Sequence, residues 1–328
     1  MKWHLTVTVD QKKEFEKILH KDKILLMGSC FSEHISQKLA QYKFQVVSNP
    51  FGVLYHPKPI EKALRRIIDF NLYAESDLSV EQDVYYSLDH HSRFNHADPG
   101  IAISQINESI GMAHQQIKQA KAILITFGTA YYYRLKSNHQ VVGNCHKLPD
   151  NQFEKIRDTA KDIIGNYLDL IQRIGTINPK VQIIFTVSPV RHWKNGAADN
   201  SWSKAILMDA VRSLAELVSN VHYFPSYEIM MDELRDYRFY KEDLLHPNDQ
   251  AIEQIWQRFK VSCIAESAVD LLAEIEAIIQ AAKHKPLQPN SIQHQKFIAT
   301  MVQKAIDLQQ RYDYLNFEKE INELSSNL

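Results

Sequence analysis

The sequence predicts an α/β fold of three layers, a parallel sheet with helices on both faces, followed by a helical C-terminal extension. Five apolar runs are its strands: KILLMGS from Lys23, FQVVSNPF from Phe44, AILITFG from Ala122, VQIIFTVSPV from Val181 and VHYFPSY from Val221. They are continuous rather than alternating, which is what strands buried on both faces require. Between them, segments around Glu61 and over 104–118, 153–174 and 204–217 carry apolar residues three and four apart, the period of an amphipathic helix. Beyond about Asp249 the pattern becomes helical alone.

Each element follows from local chemistry. Ile24 to Met27 make a strand that stops at Gly28, after which Phe31, Ile35 and Leu39 recur every four positions along one helix face. The second run ends in Asn49-Pro50-Phe51-Gly52, turn residues that lead into the helix around Glu61. The third ends at Gly128 and the fourth at Ser188. Such a βαβ succession implies a doubly wound sheet with ligands beyond the carboxyl ends of the strands, near Gly28, Gly52, Gly128 and Ser188. The run AIEQIWQRFKVSCIAESAVDLLAEIEAIIQAAKH reads as helix, HKPLQPN breaks it, and helix resumes over 292–314. Its stripe of Ile298, Met301, Val302, Ala305 and Ile306 is expected to pack on the parent domain or a second copy, so a homo-oligomer through these helices is one expectation. The organisation expected is a catalytic-type domain over 1–262 and a helical extension over 263–328.

Composition narrows the function classes. With 328 residues and 45% hydrophobic content the chain can bury a full core, and 38 basic against 39 acidic side chains give no global field for nucleic acid or an anionic membrane. No apolar run reaches membrane-spanning length, so membrane insertion is not expected. The opening MKWHLTVTVDQKKEFEKI has no apolar core or small-residue cleavage site. Cys30, Cys145 and Cys263 are an odd, widely spaced set, which points to free thiols in a reducing cytoplasm and not to a disulfide framework or a zinc site. No glycine-rich phosphate loop or dinucleotide fingerprint occurs, so no cofactor is expected.

Two constellations carry chemistry. At Gly28-Ser29-Cys30 a strand turns into a helix, placing a side chain at a helix N-terminus, where the dipole and unpaired N–H groups favour anions. A thiol there is expected to have a lowered pKa, and either side chain could accept an acyl group. The bland alternative has Ser29 capping the helix and Cys30 packing as a small apolar residue. In KEDLLHPNDQAIEQIW, Asp243 and His246 lie three apart before a helix, so the carboxylate could hold the imidazole in the tautomer that accepts a proton. Elsewhere, His91 and Ser92 sit in a loop with His90 and His96 that lacks metal-ligand spacing. Arg191 and His192, with Lys194, follow a strand end where cations could orient a carboxylate or phosphate. Tyr131 to Tyr133 could wall a sugar ring or pack at a sheet edge.

Nucleophile turn first and D-x-x-H last is the order of the SGNH/GDSL hydrolases, and the words here resemble the GSCFA family within that superfamily. Gly28-Ser29-Cys30-Phe31 matches the naming motif, with Ser32 in place of its alanine. Similarity continues through Asn49-Pro50-Phe51-Gly52, His91-Ser92, Phe127-Gly128-Thr129-Ala130, Asn144-Cys145-His146-Lys147, Ser188-Pro189-Val190-Arg191-His192, Ser203-Lys204 and Leu245-His246-Pro247, over roughly residues 1–260. The resemblance implies an SGNH-hydrolase-like, flavodoxin-like sheet. It lays Cys30 on the superfamily's serine, and a shift of one residue nominates Ser29 instead. It implies Gly52 as an oxyanion donor, but Ala130 stands where the superfamily has asparagine; Thr129 and Asn144 are the substitutes at hand. Losing one such donor costs about 3 to 4 kcal/mol of transition-state stabilisation.

Three functions follow as expectations. The first is an acyl ester hydrolase or acyltransferase using a Cys/Ser-His-Asp site on a small-molecule or glycan substrate, including O-acylated carbohydrate or lipid-linked precursors. A non-catalytic binding protein for a small molecule or glycan, on a degenerate version of the fold, is the second. The third is a redox-responsive thiol protein centred on Cys30, against which stands the lack of a neighbouring resolving cysteine.

Overall fold

The computed structural model describes residues 16–284 and 291–325. The polar stretch through residue 15 and the prolines of the HKPLQPN break lie outside the described residues.

β1 (Lys23–Gly28) and α1 (Cys30–Gln41) come first, then β2 (Gln45–Ser48) and α2 (Pro57–Asp69). A hairpin of β3 (Ser79–Glu81) and β4 (Val84–Tyr86) precedes α3 (Pro99–Ile117). After β5 (Ala120–Phe127) comes an antiparallel excursion of β6 (Tyr131–Leu135), β7 (Val141–Val142) and β8 (Phe153–Arg157). The succession resumes with α4 (Ala160–Ile177), β9 (Gln182–Val187), α5 (Ala197–Leu217) and β10 (Val221–Tyr223). A single turn, α6 (Ser226–Glu228), leads on to α7 (Asp249–Cys263), α8 (Glu266–Lys283), α9 (Ile292–Arg311) and α10 (Glu318–Ser325).

The five apolar runs form one parallel sheet in the order β10-β9-β5-β1-β2. Numbered among themselves they run 2-1-3-4-5, the flavodoxin-like order of a doubly wound sheet. Alternation along each strand divides the core. Ile24, Leu26, Ala122, Leu124 and Ile184 face α1, α7 and the C-terminal helices. Their neighbours Leu25, Met27, Ile123, Ile125 and Phe185 face α2 to α5. Successive side chains of a strand point to opposite faces, so a strand with both sets buried must be covered twice.

The local reading fails at residues 153–157, expected as the start of a helix. They form β8, pairing with β6 from Tyr131↔Arg157 to Leu135↔Phe153. α4 begins only after Thr159, whose side chain accepts the Asp162 N–H. A five-residue alternating run carries too little periodicity to be told from a first helical turn, and the partner strand decides it. The same pairing places Tyr131 to Tyr133 in β6, with Tyr132 buried against His56. The continuous C-terminal helix is also two helices. Ile18 N–H bonds Cys263 O at 2.8 Å and Ala265 N–H bonds Ile18 O at 2.9 Å, so an extended segment takes the backbone groups that would have continued α7.

α8, α9 and α10 complete the α1 side of the core. Ile298, Ala305 and Leu308 of α9 are buried with Met301 and Val302 packed on them, and Lys43 pairs with Glu320 of α10 at 2.7 Å. Among the described residues no helix is long and apolar enough to cross a membrane.

Candidate active site

The carboxyl edge of the sheet is shaped first at Gly28. Its φ is +135°, and a Cβ there would lie 2.2 Å from Thr126 O, so only glycine fits against β5. The Gly28 N–H bonds Asn49 Oδ1 at 2.9 Å, drawing the loop after β2 onto the turn. Ser29 then caps α1, its Oγ accepting the Phe31 N–H at 3.3 Å, and is 1% exposed. The capping role expected as the bland alternative therefore holds for Ser29, and its burial argues against it as nucleophile. Cys30, the first residue of α1, is half-buried and reachable.

One expectation is corrected at Cys30. Its thiol pKa is raised, not lowered, because burial and the Glu33 carboxylate outweigh the Cys30 and Phe31 N–H groups and the Lys204 charge. A helix N-terminus favours the thiolate, but an acid in that same first turn opposes it.

The D-x-x-H turn is fully assembled. Asp243 Oδ1 accepts the Leu245 and His246 N–H groups at 2.8 and 3.0 Å, and its Oδ2 lies 2.6 Å from His246 Nδ1. An ionised carboxylate can only accept, so Nδ1 carries the proton and Nε2 is left as a base. Leu244 takes the left-handed conformation, φ +57°, to let the loop fold back on the carboxylate. Arg191 N–H to Leu245 O, 3.3 Å, ties this turn to the loop after β9. His246 also interacts electrostatically with His34, one helical turn beyond Cys30 on α1. Among the described residues no hydrogen bond joins His246 to Cys30, and such bonds often tighten only when substrate binds.

The His246 N–H, the Leu245 N–H and the imidazole hold the Asp243 carboxyl down to about 2. A depressed folded pKa stabilises the turn above the ordinary carboxylate value and loses that contribution as pH falls toward the folded one. The Asp243 carboxyl carbon should therefore titrate near pH 2 by NMR, with the Leu245 and His246 amides moving in step. A midpoint near the ordinary value of about 4 would mean the turn is not formed in solution.

The oxyanion expectations fare differently. The Gly52 N–H is committed to Asn49 O at 2.7 Å, so the donor expected of it is not free. Its glycine is instead required by φ +78° and by His91, whose Cβ would lie 2.1 Å from a Cβ at this position. The Gly128 and Thr129 N–H groups both bond Tyr55 O, at 2.7 and 3.1 Å, and the Ala130 N–H bonds Ser203 Oγ at 2.7 Å. Thr129 is buried, its Oγ1 accepting the Tyr131 N–H. Asn144 shapes a turn, its Oδ1 accepting the His146 N–H at 2.8 Å, and His91 Nδ1 accepts the Arg93 N–H at 3.2 Å. No hydrogen bond ties Asn144 or His91 to Cys30 among the described residues. These contacts hold loops together: the main-chain donors of Gly52 and Thr129 are spent, and the Thr129 hydroxyl is shared with Ser203 and the Tyr131 N–H. The Cys30 N–H, in the first turn of α1, has no intrahelical acceptor and keeps its capacity to donate.

Other expected residues do converge. His192 follows β9, its imidazole pKa lowered by burial and by Lys204. Its ring centroid lies 6.5 Å from that of Tyr55, whose phenol interacts electrostatically with Cys30. Arg191 lines a cleft of about 190 Å³ with Met231, Tyr237, Tyr240 and Leu244, and Arg235 and Asp236 stand at the same cleft. Its Nε is buried without a partner, and among the described residues no carboxylate pairs with it.

Lys204 was not singled out for chemistry by its sequence context. It is 1% exposed, and its Nζ donates to Gly128 O at 2.8 Å and Ser188 O at 2.7 Å. The available clue was periodicity: Lys204 falls in register with Leu207, Val211 and Leu214, the buried face of α5. His34, four residues after Cys30, was legible in the same way.

Residues 23–259 match the model of the GSCFA family, and residues 275–328 match that of the GSCFA domain protein, C-terminal domain. No curated protein matches the chain. Among solved structures it is similar to an acetyl xylan esterase (Est2A) from the rumen bacterium Butyrivibrio proteoclasticus, with 10% identity and a TM-score of 0.38 over 74% of this chain and 64% of that one. A carbohydrate esterase family 3 structure from Talaromyces cellulolyticus gives 9% identity and a TM-score of 0.35, over 77% of this chain and 99% of that one. A family 3 carbohydrate esterase from Clostridium thermocellum gives 13% and 0.33, over 77% and 98%. The chain thus spans under two thirds of the length of the first of these.

Proposed function

The chain belongs to the GSCFA family, and from that premise we propose that it is an acyl-transfer enzyme, an ester hydrolase or acyltransferase with Cys30 as nucleophile. The observation that carries the reading is a reachable thiol at a helix N-terminus on the same sheet edge as an Asp243–His246 pair whose Nε2 is left as a base. In the cycle, His246 Nε2 takes the Cys30 Sγ proton and the sulfur attacks the acyl carbonyl carbon. The tetrahedral oxyanion forms near the Cys30 N–H and the positive end of α1. As the C–O bond breaks, His246 returns its proton to the departing alkoxide, leaving a thioester. Water, or an acceptor hydroxyl that gives its proton to His246, then releases the acyl group.

The substrate class is a small molecule or glycan bearing an O-acyl group. The Arg191 cleft, with Tyr237 and Tyr240, suits a sugar-like ring carrying a carboxylate or phosphate, since among the described residues no carboxylate is ion-paired with the Arg191 guanidinium.

One observation favours a second reading, a binding protein without turnover: the N–H groups of Gly52, Gly128, Thr129 and Ala130 are all committed. Incubation with p-nitrophenyl acetate, followed by intact mass and peptide mapping, separates the two. The enzyme reading expects one acetyl group on Cys30, formed and then released. A protein that stays unmodified, with Cys30 no more reactive than Cys145, sinks it in favour of the binding protein.

A further inference from the structure

Lys204 occupies an environment that an ordinary lysine avoids. Its ammonium lies 1% exposed with two carbonyl acceptors, and among the described residues no carboxylate is paired with it. Taking an ammonium out of water without an opposite charge costs several kcal/mol, more than two neutral hydrogen bonds return. A tie between two loops does not require a charge.

Position gives the charge a purpose. Gly128 and Ser188 directly follow β5 and β9, so Nζ sits beneath the carboxyl edge of the sheet. β5 is paired with β1 up to Gly28↔Thr126, next to the turn that presents Cys30. The preceding residue, Ser203, holds the Thr129 hydroxyl and the Ala130 N–H, which fixes the same loop. The charged and titratable groups around the two ends are few. Glu33 on α1, Tyr55 after β2 and Lys204 on α5 act on or with Cys30, while His192 after β9 and the Tyr227 ring, 5.5 Å from Nζ, stand near Lys204.

We propose that Lys204 is the buried counter-charge of the Cys30 thiolate, a positioning residue that holds one positive charge behind the nucleophile without touching substrate. The inference rests on the reading of Cys30 as nucleophile. When His246 removes the Sγ proton, negative charge appears on sulfur at an edge where Glu33 opposes it, and this ammonium adds to the Cys30 and Phe31 N–H groups in compensating it. Burial pulls the Lys204 pKa down to about 7 while Cys30 acts in the opposite sense, and Lys204 in turn lowers Cys30, as reciprocal coupling of two sites demands. The same charge compensates in part for the missing asparagine donor, by field and not by contact.

The test measures iodoacetamide alkylation of the full chain against pH, resolved by peptide so that Cys145 is an internal control. In Lys204→Met the Cys30 rate should fall about tenfold at and below neutral pH, where the lysine keeps its proton, and should converge on the parent rate at alkaline pH, where burial has already discharged it. Lys204→Arg, which keeps the charge, should restore much of the rate, and Cys145 should not move. A Cys30 rate in folded Lys204→Met that is unchanged at neutral pH, or lowered equally at every pH, overturns the proposal, because a merely structural lysine would leave the shape of the pH profile in place. Should Lys204→Met not fold, Cys30→Asp, which sets a permanent anion in place of the thiol, supplies the reciprocal measurement. With an anion at position 30 the Lys204 side-chain NMR titration must move to higher pH than in the parent, and an unshifted midpoint overturns the pairing. The two readings fail separately: no acetyl adduct with a shifted Cys30 profile removes acyl transfer and supports the pair, whereas an adduct with an unshifted profile removes the pair.

Discussion

His246→Ala should slow acetylation of Cys30 by about two to four orders of magnitude, the contribution usual for a positioned general base. The effect falls on the first chemical step, because without an acceptor the Cys30 proton must go to water, and burial together with Glu33 already holds that thiol up. Measured as burst rate against pH, the loss should be greatest near neutrality and shrink toward alkaline pH, where solvent can deprotonate the thiol unaided. Asp243→Asn should give much of the same loss with the protein folded. A carboxamide in place of the carboxylate can present its N–H₂ to Nδ1 and turn the imidazole to the wrong tautomer. A His246→Ala burst within threefold of the parent would place the base elsewhere, and His34 or His192 would be the residues to replace next.

Gly28→Ala is the substitution expected to damage the fold most for its size. The added methyl would meet Thr126 O at 2.2 Å in a backbone with φ +135°, and both obstacles are main chain in the two central strands, which cannot step aside. Strain of this kind costs on the order of 3 kcal/mol or more, a large share of the roughly 5 to 15 kcal/mol that holds a domain together. Urea denaturation should show the loss as a lower midpoint at unchanged slope, and Cys30 labelling should lose its selectivity because the turn that presents the thiol moves. Gly165→Ala is the matching control. This glycine is exposed in α4 with nothing within 4 Å of an added Cβ, so the change should stabilise by about 0.5 to 1 kcal/mol. A Gly28→Ala protein as stable as its parent would mean that β1 and β5 do not approach as closely as described.

These expectations rest on a fold that was largely readable in advance. All five parallel strands were legible because strands buried on both faces are written as unbroken apolar runs, a property of one short segment at a time. What was lost was pairing that depends on a distant partner. Residues 153–157 look helical until β6 lies beside them, and the run through Cys263 looks like one helix until Ile18 takes its backbone bonds.

The candidate site divides along the same line. Asp243 and His246 are three residues apart, so a single turn joins them and spacing alone was enough to nominate the pair. The Gly28-Ser29-Cys30 junction was equally local, since a strand, a glycine and a helix period define it. Telling Ser29 from Cys30 needed the tertiary structure, because the fold buries the capping serine fully and leaves the thiol half-buried. The direction of the Cys30 shift needed it too, as did the fate of Gly52, whose N–H the chain spends on Asn49. Lys204 is the clearest case. Its apolar register hinted at burial, but what its amine meets there is set by two strand ends, 76 and 16 residues earlier in the chain, that close over it. The sequence by itself determined the sheet, the Gly28-Ser29-Cys30 turn and the Asp243–His246 pair, which are short-range patterns of apolarity and spacing. Only the folded chain decided which N–H groups are spent, which side chain is reachable and where a buried charge stands, because each depends on what distant segments leave exposed.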